Sequence, residues 1–222
     1  MNSFSLCNIF RNFRINCDIE IINTKDDSYK SPYSWYGSDG AAEGNQFAEL
    51  NCEAAGALYQ DILTTPNSQC YWDLDYAGRW CQNSMYVVAM SANDAQNYTT
   101  SEQIEALIKR DDVKAILANQ EDTNGTNIKL SDGVTATMWK VTSKETAGQW
   151  NDHRGIYSVP DSEKNYITRF FFVSAGGAKR NDGDTPNKTV GSLLDNVKFE
   201  QEKAYTIEYY VDGVKQDNLT VT

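Results

Sequence analysis

Histidine is almost absent from this sequence, and the cysteines do not form metal-binding pairs. The chain of 222 residues contains one histidine, His153, and five cysteines, none of them in a C-x-x-C pair. Zinc sites use Cys and His ligands at short, regular spacings, so this composition argues against such a site. A single histidine also leaves little room for His-based catalytic triads.

The odd number of cysteines favours isolated thiols in or near strands. One disulfide is the alternative, because Cys52 and Cys81 lie at similar distances from the turn at 64–67 and could face each other across strands. Spacing does not determine connectivity, so both interpretations stay open.

Positive charge is also scarce, since 20 Lys and Arg stand against 31 Asp and Glu, for a formal net charge of −11. A nucleic-acid-binding protein needs a basic patch that displaces counterions, and the sequence shows none. The same net negative charge disfavours binding to anionic membrane surfaces. The sequence contains no run of 18 apolar residues, the length at which a membrane-spanning helix is predicted. Phosphate-binding loops and dinucleotide fingerprints are missing. The acidic balance fits neutral ligands or divalent cations.

The sequence is rich in aromatic residues, with 13 Tyr and 5 Trp, and in short segments of alternating polarity. Such segments, bounded by turn residues, indicate strands. They lie at 18–22, 46–51, 57–63, 70–78, 84–90, 133–142, 155–159, 166–175 and 193–199. Their number and spacing predict an all-β fold, an antiparallel β-sandwich of the jelly-roll type.

One segment has a helical period instead. Ile104, Leu107, Ile108 and Ile116 fall on one face of a helix, which predicts a short inserted helix over 101–117. Thr100 and Gln103 have the spacing of a capping box at its start.

The two ends of the chain differ from the middle. Residues 1–17 carry scattered Arg and no apolar core, unlike a signal peptide. Near the other end, two alternating runs flank Asp212-Gly213, which favours a type I′ hairpin. A lone hairpin is marginally stable, so we expect 203–222 to begin a second, small β-repeat domain. The predicted jelly roll covers 35–202, and 1–34 is an atypical N-terminal segment consistent with a damaged first strand.

Several segments, taken in order, resemble one family. They are "EGNQFAELN", "ALYQDILTTPNSQCYWDLDYAGR", "SMYVVAM", "WNDHRGIYSVPDSEKNYITRFFFVSAGG" and "TVGSLLDNVKF". Together they resemble the galactose-binding-domain-like jelly rolls of secreted and wall-anchored Gram-positive surface proteins, which are similar to carbohydrate-binding modules. The segment "YTIEYYVDGVK" resembles the start of the β-repeats that follow such domains in adhesins. The resemblance implies an extracellular, cell-surface location and a monomeric domain within a larger chain.

Asp195 interrupts the apolar segment 193–199. The resemblance implies that it helps bind a structural calcium, since related jelly rolls carry an Asp in their last strand for this purpose. The alternative is that Asp195 accepts hydrogen bonds from backbone N–H groups at a strand crossover. The first strand of the family contains "NGxFE", whose Glu supplies a calcium ligand, whereas this chain has "NIFRNFRINCDIE".

Sugar-binding clefts combine aromatic rings, which stack on the apolar face of a sugar, with planar polar groups that bond its hydroxyls. The Gly-rich segment 35–44 is suited to a binding rim, and Trp80 is expected to be the most exposed tryptophan. Candidate ligand-binding residues are Trp35, Tyr36, Arg79, Trp80 and Trp150. The alternative for each aromatic residue is a core or loop-anchoring role.

Catalysis is not expected. Glu43, Glu49, Asp73 and Asp75 could in principle act as glycosidase carboxylates, but acids are so abundant here that their presence is uninformative. Two functions stay open: a non-catalytic module that binds neutral glycans or host or cell-wall carbohydrate for adhesion, and a structural stalk that binds no ligand of its own.

Overall fold

The computed structural model describes residues 19–26, 40–51, 56–79, 81–117, 124–131, 133–175, 191–201 and 208–216. Its strands are β1 (Glu20–Asn23), β2 (Gln46–Glu49), β3 (Ala57–Leu63), β4 (Gln69–Gly78), β5 (Ser84–Ser91), β6 (Thr126–Ser131), β7 (Val134–Thr142), β8 (Asn151–Ser158), β9 (Ile167–Ser174), β10 (Ser192–Gln201), β11 (Tyr210–Val211) and β12 (Val214–Lys215). Its α-helices are α1 (Ser101–Ile108) and α2 (Asp111–Leu117), and short 3-10 helices span Asp94–Asn97 and Glu163–Tyr166.

Ten of these strands form two antiparallel sheets of five strands each. We call the sheet with the order β1-β2-β10-β4-β8 the front sheet, and the sheet with the order β3-β9-β5-β7-β6 the back sheet. The predicted all-β antiparallel sandwich is therefore confirmed. The last strand of the sandwich, β10, lies in the middle of the front sheet, between β2 and β4.

The core lies between the sheets and follows from the alternation along each strand. In β4, Trp72, Leu74 and Tyr76 are buried and point inward, and Trp72 meets Trp139 of β7 edge to face at 5.4 Å between ring centroids. Outward-facing neighbours on β4 are therefore Tyr71, Asp73 and Asp75. Cys70 is a buried thiol whose pKa burial raises to about 12, which keeps it protonated.

The helices cover the outer face of the back sheet. Ile104, Leu107 and Ile108 of α1 and Val113 of α2 pack on the sheet in a second apolar cluster with residues such as Phe171. The predicted capping box is present, since Thr100 Oγ1 accepts from the Gln103 N–H and Gln103 Oε1 accepts from the Thr100 N–H. The helical segment is in the predicted place but has two parts, because the chain turns at Lys109–Arg110. No helix among the described residues is long and apolar enough to span a bilayer.

Two strand predictions need correction. β8 begins at Asn151, four positions before the predicted start at Gly155, because the polar residues 151–154 pair with β4. β6 was not predicted, since it is a polar edge strand in which Ile128 is the side chain buried against the back sheet.

The predicted hairpin is present in β11 and β12. Asp212 and Gly213 at its turn have φ of 50° and 81°, the positive values that a type I′ turn needs at both central positions. Assignment of 203–222 to a second domain stays a prediction, and most of the segment 1–34 lies outside the described residues.

Candidate functional site

The outer face of the front sheet is divided into a covered half and an open half. In the covered half, Ile22, Phe47, Ala77 and Leu193 form a small apolar cluster against which Ala41 and Trp150 pack. The loop at 40–45 therefore crosses the sheet and buries this half. The open half lies on β8, β4 and β10, beyond Asp195.

Asp195 lies at the boundary between the two halves and is fully buried. Its Oδ2 accepts a hydrogen bond from the Glu43 N–H at 3.0 Å, and its Oδ1 accepts one from the Asn196 N–H at 2.7 Å. Burial raises the pKa of Asp195 to about 6, against these hydrogen bonds and with the help of the negative charge of Asp75. Asp195 thus ties the 40–45 loop to the last strand of the sandwich.

A bulge next to Asp195 makes this contact possible. The register of β10 against β4 shifts between Asp195 and Lys198, and Asn196 adopts a φ of 49°. This left-handed conformation is tolerated best by Gly, Asn and Asp. The Asn196 side-chain amide donates to Asp75 Oδ2 at 2.9 Å, which satisfies one carboxylate oxygen of β4.

The surroundings of Asp195 match the hydrogen-bonding alternative from the sequence. Both of its oxygens face N–H donors, and the described residues contain no group of three or more His, Cys, Asp or Glu side chains able to hold a metal ion. Calcium binding at Asp195 stays a prediction.

Arg79 follows β4 and makes a buried ion pair rather than projecting from a loop. Its Nη1 lies 3.0 Å from both carboxylate oxygens of Glu49 on β2, with 13% of the Arg79 side chain and none of the Glu49 side chain exposed. The Gly191 N–H donates to Glu49 Oε1 at 3.3 Å. Desolvation raises the pKa of Glu49, although Arg79 acts in the opposite direction.

Trp150 anchors the 40–45 loop. Its indole N–H donates to the Gly40 carbonyl oxygen at 3.0 Å, and its ring meets Phe47 edge to face at 5.4 Å. Phe47 and Glu49 are two positions apart on β2, so the structure brings Trp150 and Arg79 to the same short strand. Both candidates have structural contacts, and a ligand-binding role for them stays a prediction. The other candidates, Trp35, Tyr36 and Trp80, lie outside the described residues.

The open half of the front sheet contains a groove with a volume of about 440 Å³. The groove crosses β10, β4 and β8, and its side chains form two rows. Each row has one residue from each strand, at positions that pair in the register. One row is Glu200, Tyr71 and Ile156, and the next is Lys198, Asp73 and Arg154. The backbone between these rows, at Trp72 and Gly155, completes the lining.

Tyr71 is the aromatic side chain of the groove that points outward. It is 38% exposed, and its hydroxyl donates to Gln69 Oε1 at 2.9 Å. This hydrogen bond fixes the far end of the ring, while the exposed part leaves apolar area that a ligand can cover.

The charges of the groove alternate in sign. Arg154 Nε donates to Asp152 Oδ2 at 3.1 Å and lies 3.8 Å from Asp73 Oδ2. Lys198 and Glu200 lie on the outward face of β10, and the positive charge of Lys198 partly offsets the rise in the pKa of Asp73. The ammonium and carboxylate groups of these two residues line the groove.

Asp73 lines this groove, and Asp152, which lies just outside the lining, acts on the pKa of Asp73. Burial raises the pKa of Asp73, and the hydrogen bond and charge of Asp152 raise it further. The pKa of Asp152 is lowered because its hydrogen bonds to Arg154 and Asp73 outweigh desolvation.

Tyr71, Arg154, Lys198 and Glu200 of the groove are not among the ligand-binding candidates predicted from the sequence. The alternation of 70–78 was a usable signal, since it places Tyr71 on the face opposite the buried Trp72. Arg154, Lys198 and Glu200 join Tyr71 only through strand pairing, for which the sequence carries no local signal.

No protein-family model matches the chain, and no curated protein matches it either. One similar solved structure is the CBM22-2 xylan-binding domain from Paenibacillus barcinonensis Xyn10C, with 11% identity and a TM-score of 0.42, covering 86% of this chain and 91% of that one. A second is a CBM61 module in complex with β-1,4-galactotriose, with 7% identity and a TM-score of 0.40, covering 83% of this chain and 82% of that one. A third is a putative sugar binding protein from Bacteroides thetaiotaomicron, with 10% identity and a TM-score of 0.42, covering 83% of this chain and 81% of that one. Likenesses with such low TM-scores support no inference about function, which we therefore base on the groove itself.

Proposed function

We propose that this protein is a non-catalytic carbohydrate-binding module and that the groove on the front sheet holds a neutral saccharide. The observation that carries the proposal is the exposed ring of Tyr71, which lies next to Glu200 in its own row and beside the charged row of Lys198, Asp73 and Arg154. This combination provides an apolar surface for a sugar ring together with donors and acceptors for its hydroxyl groups.

Each group has a definite role in this proposal. The ring of Tyr71 stacks on the apolar face of a pyranose, Lys198 donates hydrogen bonds to hydroxyl oxygens, and Glu200 accepts them from hydroxyl groups. The balance of charge in the groove and the net charge of −11 disfavour a polyanionic glycan. A shallow groove buries little of a hydrated ligand, so binding per site is weak, and multivalency in a larger chain would compensate for it.

The wider setting is also part of the proposal. We place the module outside the cell, in an adhesive surface protein of which it is one domain. This setting rests on the sequence resemblance to jelly rolls of Gram-positive surface proteins. It also accounts for the need to bind host or cell-wall carbohydrate.

The proposal is tested by titrating the protein with a panel of neutral oligosaccharides, followed by NMR chemical shifts and calorimetry. We expect Tyr71→Ala to weaken binding about tenfold or more, a loss of about 1.4 kcal/mol, because the stacking surface is removed. Tyr166→Ala is the matched control, since Tyr166 is 58% exposed and precedes β9 of the back sheet. Tyr166→Ala should bind as the wild type does.

Two outcomes contradict the proposal. Binding that Tyr71→Ala leaves unchanged places the site elsewhere, with Trp35, Tyr36 and Trp80 as the next candidates. Failure of the whole panel at millimolar sugar favours the alternative function, a stalk domain that displays other modules.

A further inference from the structure

We infer that the groove contacts about two sugar rings, so that its ligand is a short oligosaccharide or the end of a glycan chain rather than the interior of a long polysaccharide. This inference rests on the proposed function. It follows from the boundaries of the groove on three sides.

The first boundary is the 40–45 loop. The backbone at Glu43 lies on Asp195, whose side chain is fully buried, and the Trp150 N–H holds Gly40 on the same face of the sheet. The row of residues beyond Asp73, namely Asp195, Asp75 and Asp152, is therefore where the open surface ends. A ligand that extends along the strands in this direction meets the loop.

The second boundary is the end of strand pairing on the β10 side. β2 pairs with β10 at Leu193 and Leu194. In the register of the described residues, β2 has no pairing with the part of β10 that carries Lys198 and Glu200. Within the part of the chain that the structure describes, the floor of the groove therefore ends at β10 on this side.

The third boundary is β8, which is the edge strand of the front sheet. The floor thus consists of three strands, which span about 10 Å at a spacing of about 4.8 Å. Along the strands, the lining runs from Tyr71 to Asp73, or about 7 Å at 3.3 Å per residue. The volume of about 440 Å³ is in the lower part of the range for small-molecule sites, about 300–1,000 Å³.

The width of about 10 Å across the strands supports about two linked pyranose rings, and the length of about 7 Å along them supports fewer than two. Rings beyond the second project into solvent or over the edge of the sheet and add few contacts. The affinity should therefore increase from one ring to two and then reach a plateau.

The test uses β-1,4-linked glucose, xylose and galactose series of one, two, four and six rings, titrated by NMR and calorimetry at one temperature and salt concentration. For any series that binds, we expect the dissociation constant to fall from one ring to two and to change less than about twofold from two rings to six. The six-ring ligand should shift the same backbone resonances as the two-ring ligand, those at 71–73, 154–156 and 198–200.

The outcomes separate the inference from the proposed function. Binding that is lost in Tyr71→Ala but strengthens steadily through four and six rings supports the groove as the site and overturns the length limit. Binding that Tyr71→Ala does not change refutes the site itself, and with it the limit. Absence of binding in all three series counts against both.

Discussion

Replacement of Arg79 by Met should destabilise the fold through Glu49. Met keeps most of the apolar stem of Arg79 but removes the guanidinium that lies 3.0 Å from both Glu49 oxygens. Glu49 is fully buried and would keep one described hydrogen bond, from the Gly191 N–H at 3.3 Å. Breaking a buried ion pair in this way typically costs about 3–5 kcal/mol.

Without Arg79, Glu49 can take up a proton instead of staying charged, so the free-energy cost of protonating it is an upper limit on the electrostatic part of the loss. At pH 7, which is 2.5 pH units above the ordinary Glu pKa of 4.5, this cost is about 3.4 kcal/mol, since each unit is worth about 1.4 kcal/mol. At pH 5 the same limit is below about 1 kcal/mol. Arg79 lowers the pKa of Glu49 against the effect of burial, so its removal should raise this pKa further, and the destabilisation in Arg79→Met should therefore increase as the pH rises.

The free energy of unfolding is measured by urea denaturation with tryptophan fluorescence at pH 5 and pH 7, for the wild type, Arg79→Met, Glu49→Gln and the double variant. We expect Arg79→Met to lose about 3 kcal/mol at pH 7 and much less at pH 5, and Glu49→Gln in the same chain to restore part of the loss. A loss of less than about 0.5 kcal/mol at pH 7, or the same loss at both pH values, would refute the buried pair.

Three further predictions concern the front sheet. Ionisation of Asp195, whose folded-state pKa of about 6 is above the ordinary 3.8, should lower stability as the pH rises from 4 to 7. In a melting series over this range, Asp195→Asn should therefore gain up to about 3 kcal/mol on the wild type. The same melting series with calcium and with a chelator tests the predicted calcium site, because bound calcium would raise the melting temperature of the wild type and not of Asp195→Asn. In Gly155→Ala, the new Cβ would lie 2.4 Å from Trp72 Cζ2, and such overpacking should lower the free energy of unfolding, measured by urea denaturation, by about 1–3 kcal/mol. If this variant is as stable as the wild type, Trp72 does not lie against β8.

Much of the fold could be predicted because its signals are local. The alternation in 70–78 determines which face of β4 is buried, and the Thr100–Gln103 pair determines where α1 begins. β6 was missed because its sequence, TNIKLS, is mostly polar and belongs to an edge strand with little to bury. The position of β10 between β2 and β4 depends on pairings between distant segments, which no local pattern specifies.

The site could be predicted much less well, because its contacts are long-range. Nothing near Trp150 indicates that its N–H binds Gly40, 110 positions away, and nothing near Arg79 indicates Glu49. From the sequence alone, large aromatic residues in polar segments are predicted to bind a ligand, because their partners within the fold are not visible. For Asp195 the sequence did establish that a buried carboxylate needs a partner, but the partner, the Glu43 N–H, lies 152 positions away.

The central position of β10 has a consequence for the order of folding. Without β10, the pairings of the front sheet reduce to two separate antiparallel pairs, β1–β2 and β4–β8, because β10 is the strand that joins them. The chain therefore cannot complete this sheet until Ser192 and the residues of β10 that follow it have been synthesised. Sheets completed by such distant pairings close slowly and expose unpaired strand edges in the meantime. Lys198 and Glu200 arrive with the same strand, so the groove is formed only when the sheet closes. The ability to bind a ligand there would therefore develop together with the last cooperative step of folding.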